Sequence, residues 1–366
     1  MPGGKTLLEE PGLIPKTRAG FLMFLAVVFA AAGCNRGKTT AVANQTPGNQ
    51  ASASASPAKP VDPVGPVLRI DSAKAWQYVK EIVAIGPRWD GSPGQHKMGE
   101  YIHSRLKGDQ VEEDPFVADS PAGKIAMRNI VAKFPGSKDG IIVVGSHIDT
   151  NYPLRNTSFA GANDGGSSTA LLLAIADQLR GKKLEGYSVW LAFLDGEESI
   201  PSAKPGDMTW SDADSLYGSR HLSQKWEQDG TNKKVKAFLL ADMIGDKDLD
   251  ILRDKKSTEW LEDVVFQAAT RLGYQSYFFE TENEITDDHN SFSRFGIPVA
   301  DIVDLNYGYG NAYHHTTDDT IDKLSPKSIQ IAGDVILETI RLLNGGAGGF
   351  ASPAPVAASP APKLPS

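Results

Sequence analysis

The chain has 366 residues, 40% hydrophobic and 22% charged, enough apolar sequence to bury a sizeable core in one large domain with flanking segments. Its formal net charge of -8 at pH 7, with no basic cluster to offset it, argues against a nucleic-acid-binding surface. The single cysteine, Cys34, excludes an internal disulfide and a cage of thiolate metal ligands.

At the N-terminus Lys16 and Arg18 precede an uncharged apolar run, residues 21–32, too short to span a bilayer as a helix but suited to the core of a signal peptide. The run ends in Ala31, Ala32, Gly33 and Cys34, which resembles a bacterial lipoprotein box. The resemblance implies that residues 1–33 are a signal peptide and that Cys34 becomes the lipidated first residue of an exported chain. Its acyl chains would hold the chain to a bacterial membrane. Residues 34–66, with TPGNQASASASPAKPVDPVGP, contain almost no large apolar residue and have the composition of a tether. Residues 345–366, with ASPAPVAASPAPKLPS, have the same character and predict a disordered tail, so the folded part is expected over 67–344.

Within that part, Trp76, Val79, Ile82 and Val83 fall at helical spacing over residues 72–85, and Met98, Ile102 and Leu106 do so over 94–106. The Gly/Pro loop GPRWDGSPG separates them. Residues 129–134 read as a strand, and 141–145 form a continuous apolar run of the kind found in buried strands. That run leads into Ser146, His147, Ile148 and Asp149. A loop follows to GANDGG, residues 161–166, and then an apolar helix over 169–179. Strands recur at 189–194, 238–243 and 297–303, and helices over 258–272 and 325–343. This alternation predicts an α/β fold, a three-layer αβα sandwich around a mostly parallel mixed sheet.

Polar residues cluster in one class of position. Glu197 and Glu198 follow the strand at 189–194, on the edge of an open α/β sheet where ligands bind. Adjacent residues at a strand end point in different directions, so one carboxylate can hold a metal while its neighbour faces the substrate as a proton carrier. His147 follows another buried strand, Asp242 falls near the end of a third, and Asp164 lies just before a helix. YGYGNAYHHTTDD, after the last strand, supplies His314 and His315. Taken singly, these have ordinary structural readings: a helix cap for Asp164, a turn aspartate for Asp242, a loop histidine for His147. Jointly they form the oxygen and nitrogen donor mix that zinc takes at catalytic sites.

On SHIDT, GANDGG, DGEE, LLADMIG and HHT, in that order, the chain resembles the zinc aminopeptidase superfamily over nearly all of residues 76–343. Three features make it resemble the animal-type glutaminyl cyclases more closely: WSDADSLYGSRHL from Trp210, the insertion that separates it from DGEE, and TDDHNSFSRFGIPV from Thr286. This resemblance implies one zinc held by Asp164, Glu198 and His315, with Glu197 as general base and acid. It also implies that Asp242 and Asp287 form a carboxylate network beside Glu197 and that Trp210 lines the substrate pocket. In related two-metal aminopeptidases the positions of His147 and Asp242 hold a second zinc that Asp164 bridges. Both positions are filled here, so one zinc or two fit the sequence. Counting back from HTTDD, His314 falls where cyclases place a tryptophan that walls the glutaminyl side chain. Tyr307, Tyr309 and Tyr313 are then the aromatic residues available to replace that surface.

The implied substrates are peptides or proteins with an N-terminal glutamine. Its α-amine attacks its own γ-carbonyl, ammonia leaves, and pyroglutamate remains. The reaction needs a Lewis acid at the carbonyl and a group that moves one proton from the amine to the departing nitrogen. Water attack on a peptide bond at the same residues would instead make a two-zinc aminopeptidase, the alternative reading.

Overall fold

The computed structural model describes residues 67–345. The expected signal peptide, Cys34, the expected tether and the expected tail past residue 345 lie outside the described residues.

Local signals set the helix starts. Asp71 accepts a hydrogen bond from the Lys74 amide and opens α1 (Ser72–Ile85), which buries Ala75, Tyr78, Val79 and Ile82 along one stripe. Ser92 caps α2 (Pro93–Arg105), with Pro93 in its first turn, so this helix begins one residue before the expected 94. An antiparallel hairpin follows, β1 (Gln110–Ser120) and β2 (Gly123–Phe134). The chain then alternates through β3 (Gly136–His147), α3 (Gly166–Leu179), β4 (Leu184–Leu194), α4 (Tyr217–Asp229) and β5 (Val235–Asp242). It ends with β6 (Ile251–Asp254), α5 (Glu259–Leu272), β7 (Phe278–Asn283), α6 (His289–Ser293), β8 (Val299–Val303) and α7 (Pro326–Asn344).

Six strands form one sheet in the order β1-β2-β4-β3-β5-β8. The β4–β3, β3–β5 and β5–β8 pairs are parallel, whereas β1–β2 and β2–β4 are antiparallel. Strand alternation divides the core between the two faces. Ile142, Val144, Leu191, Phe193, Leu239 and Ala241 point to a layer containing residues of α1, α3, α5 and α7. Ile141, Val143, Ala192, Leu194, Phe238 and Leu240 point the other way, onto Leu222 and Trp226 of α4 and Phe292 of α6. The three-layer sandwich is therefore as expected, and both faces of β3 are covered, which is why it reads as an unbroken apolar run.

The expected strand at 129–134 is the inner half of β2. Its outer half pairs with β1 alone, without β4 on the other side, and is half exposed, so it lacks the apolar run of the inner half. Parallel pairing brings the carboxyl ends of β3, β4, β5 and β8 to one edge: His147 pairs with Leu194, and Asp242 with Val303. The site is built from the residues that leave those ends.

Candidate metal centre and active site

Each carboxylate on this edge is held by backbone or by another buried group. At the end of β4 the chain turns through Gly196, whose φ of 73° favours glycine. The amides of Glu197 and Glu198 both donate to the Asp149 carboxylate, at 3.2 and 3.1 Å. The turn is closed from above by DSLYG: the Leu216 amide donates to the Glu197 carbonyl and the Tyr217 amide to the Gly196 carbonyl. Gly218 lies so close that an added Cβ would stand 2.2 Å from the Asp195 carbonyl oxygen. The DSLYGSRHL string is thus the clamp on DGEE, a packing requirement written into the sequence.

Asp164 occupies the centre. Its Oδ1 lies 3.2 Å from His147 Nε2, and its Oδ2 lies 3.5 Å from His315 Nε2. His147 Nε2 is also 3.1 Å from Asp242 Oδ1, and His315 Nε2 is 3.1 Å from Glu198 Oε2. Asn151 Nδ2 donates to the same Glu198 oxygen at 2.8 Å. The Asn163 and Asp164 amides donate to Asp319, whose Oδ1 also accepts from the Tyr307 hydroxyl at 2.7 Å. Arg88, fully buried, donates to the carbonyls of Ile148, Ala160 and Gly161 and so pins both ends of the loop that carries Asp149, Asn151 and Asp164.

The charges are strongly interdependent. Burial pushes the Asp164 carboxyl up, but the hydrogen bond from His147 and the charges of His315 and His147 outweigh it and hold the group below the usual carboxylate range. His315 is pushed up to about 9, because Glu198 and Asp164 overcome the burial that disfavours its charge. His314 is pushed down to about 4, by burial and then by the charge of His315. Burial raises Glu197 well above the ordinary glutamate range, and the carboxylate of Asp287 adds to that shift. Asp287 is itself raised by burial and by Asp242.

These donors fit a divalent cation. Asp164 Oδ2 and Glu198 Oε1 are buried without a hydrogen-bond partner, and such oxygens are costly unless a cation faces them. His315 Nε2 stands 3.1 to 3.5 Å from Glu198 and Asp164, close to the separation of about 3.3 Å between donors on a tetrahedral zinc with bonds near 2.0–2.1 Å. Donor atoms of His147, Asp164 and Asp242 also lie within 4.8 Å of one another, as do those of Asp164, His314 and His315. Asp254, His289 and Asp301 make a third cluster, fully buried beside Asp287. There the imidazole links two carboxylates, Asp254 at Nε2 (3.0 Å) and Asp301 at Nδ1 (3.5 Å).

A cavity of about 340 Å³ opens onto this set, lined by Asp164, Glu197, Asp242, Asp287, His314 and His315. Trp210 stands at its mouth, 41% exposed, with its indole N–H donating to Asp212. The apolar lining comes from Met243, Ile285, Val303 and Leu305. The tyrosines do not supply it. Tyr309 is fully exposed, Tyr307 is buried behind Asp319, and Tyr313, expected at the substrate, packs edge-on against Tyr307 and is not among the lining residues. Arg88, Asn151, Asp319 and Asp149 support the site beyond the residues expected from the sequence. Asp149 had a signal, its place two residues past His147 in SHIDT, whereas Arg88 lay in what read only as a Gly/Pro loop.

A profile of peptidase family M28 matches residues 129–340. A glutaminyl-peptide cyclotransferase-like protein of Bos taurus is 27% identical over 293 residues, covering 72% of this chain and 73% of that protein. The crystal structure of an Acidobacteriales bacterium glutaminyl cyclase is 47% identical, with a TM-score of 0.72, and covers 81% of this chain and 99% of that one. A Zn-dependent exopeptidase from Parabacteroides distasonis is 27% identical with a TM-score of 0.67, covering 75% and 99%. The strand-end donor set, the clamp on DGEE and these matches agree: the chain belongs to peptidase family M28 and, within it, to the glutaminyl cyclases.

Proposed function

We propose that the cavity closes N-terminal glutaminyl residues of peptides or proteins to pyroglutamate with release of ammonia, using Glu197 as the proton carrier. The observation that carries this reading is Glu197 itself, a buried carboxylate raised by burial and by Asp287, lining a cavity shared with Asp164 and His315, with Glu198 behind them at 3.1 Å from His315. Asp164, Glu198 and His315 would hold a zinc ion, which would supply Lewis acidity at the γ-carbonyl. Glu197 takes a proton from the α-amine as the new C–N bond forms and returns it to the side-chain nitrogen as that C–N bond breaks. Met243, Ile285, Val303 and Leu305 fold the side chain back and keep water from the carbonyl. Asp287, itself raised by burial and by Asp242, disfavours the charged form of Glu197 and so helps it hold the transferred proton.

A second reading, an aminopeptidase with two zinc ions, draws on the His147, Asp164 and Asp242 cluster. Products separate the two. Purified enzyme given a glutamine-led tripeptide is expected to release ammonia in step with pyroglutamyl tripeptide and essentially no free glutamine, while a leucine-led tripeptide survives. Free amino acid as the main product, with two zinc ions needed per chain, would promote the peptidase reading.

We also place the enzyme outside the cytoplasm on a lipid anchor at Cys34, on the strength of the apolar run and the Ala-Ala-Gly-Cys ending. Cys34→Ser is expected to leave the protein unprocessed or to move it from the membrane to the soluble fraction. Processing and fractionation unchanged in that variant would remove the anchor from this account.

A further inference from the structure

We propose that His314 is a further protein donor to the catalytic metal, joining Asp164, Glu198 and His315. One of its ring nitrogens lies within 4.8 Å of donor atoms on both Asp164 and His315. The two imidazoles are stacked at a tilt, centroids 3.8 Å apart, so the His314 ring lies alongside that of His315. Asn311 Nδ2 stands 3.0 Å from His314 Nδ1, which leaves Nε2 as the available donor. The oxygen and nitrogen of an amide exchange places with little change in shape, and Asn311 Oδ1 is buried without a partner. With the amide turned over, Nδ1–H donates to that oxygen, the arrangement by which metal-binding histidines fix their tautomer and present the other nitrogen.

The loop holds this geometry by unusual backbone. Asn311, a residue that tolerates the left-handed region, has φ of 62°, and His315 is also left-handed at 51°, a strained conformation that persists only where the surroundings enforce it. The Tyr313 amide donates to the Tyr307 carbonyl, and the Tyr307 hydroxyl is anchored on Asp319 beneath Asp164. Zinc accommodates four protein donors and still receives a substrate oxygen, since catalytic sites expand to five ligands.

The inference rests on the zinc site proposed above, and the two fail separately: loss of zinc from Asp164 or Glu198 variants tests the site, and only His314 variants test the added donor. The zinc-loaded full chain, as wild type, His314→Ala and His314→Trp, is challenged with competing chelators of graded strength. The expected result is that both variants release zinc at a Kd raised about 10- to 100-fold, typical of removing a metal-site partner. Cobalt-substituted wild type and His314→Ala should differ in their visible absorption bands, which report the donor set directly. Cooperative thermal unfolding of each loaded form establishes that it is folded; should His314→Ala fail that check, His314→Trp and His314→Gln carry the same expectation. Zinc affinity within about twofold of wild type in the folded variants, with unchanged cobalt bands, would overturn the proposal, whatever happens to KM.

Discussion

Glu197→Gln is expected to lower kcat about 10²- to 10⁴-fold, the usual worth of a positioned acid–base, while the enzyme keeps its zinc. Glu198→Gln is expected to lose metal and activity together. The two residues are neighbours, both amides are tied to Asp149, and both are buried, so no simple difference in exposure or anchoring separates them. What separates them is what their carboxylates meet. Glu198 accepts from Asn151 and faces His315 at 3.1 Å, within the donor set. Glu197 lines the cavity and takes its perturbation from burial and from Asp287. An amide at Glu197 keeps the shape and removes the ability to take a proton, whereas an amide at Glu198 replaces a charged ligand with a weak neutral one. Metal analysis beside steady-state kinetics on the same preparations reads both effects. Zinc lost from the Glu197 variant and kept by the Glu198 variant would reverse the assignment.

The elements that carry the site were legible because buried parallel strands are unbroken apolar runs, and their last residues are then marked by the sudden appearance of Asp, Glu or His. His147, Glu197, Glu198 and Asp242 were found that way. The hairpin strand β1, the clamp helix α4 and the short pair β6 and β7 were not assigned, because half-exposed or short segments carry too little apolar periodicity. The site's support was hidden for a different reason. Asp319 and Arg88 act through backbone groups distant in sequence, Asp319 on the amides of Asn163 and Asp164 and Arg88 on carbonyls at 148, 160 and 161. No spacing rule connects such residues to their partners. The aromatic surface was misplaced for the same reason: a run of tyrosines fixes composition, while the turn from Gly308 to His315 decides which rings face the cavity.

Arg88→Met is expected to destabilise the zinc-free enzyme by about 3–5 kcal/mol, the range for removing one partner from a buried set of charges. The guanidinium is fully buried, and although burial pushes it down to about 10, it remains the cation that Asp164, Asp319 and Asp149 face. Methionine fills much of the volume but leaves the carbonyls of Ile148, Ala160 and Gly161 without their donor. It also leaves three carboxylates mutually repelling around a loop that must hold Asp164 in place. Zinc brings positive charge to Asp164, one of these three, so loaded protein should lose less stability than zinc-free protein, and the gain on adding zinc should exceed that of wild type at equal free metal. Arg88→Lys keeps the charge without the planar fork and should fall between the two. Urea unfolding of the three proteins, with zinc and after chelation, measures both terms. A loss below about 1 kcal/mol in the zinc-free Arg88→Met protein, the scale of one ordinary hydrogen bond, would mean that Asp149 and Asp319 hold the loop without the cation beneath them.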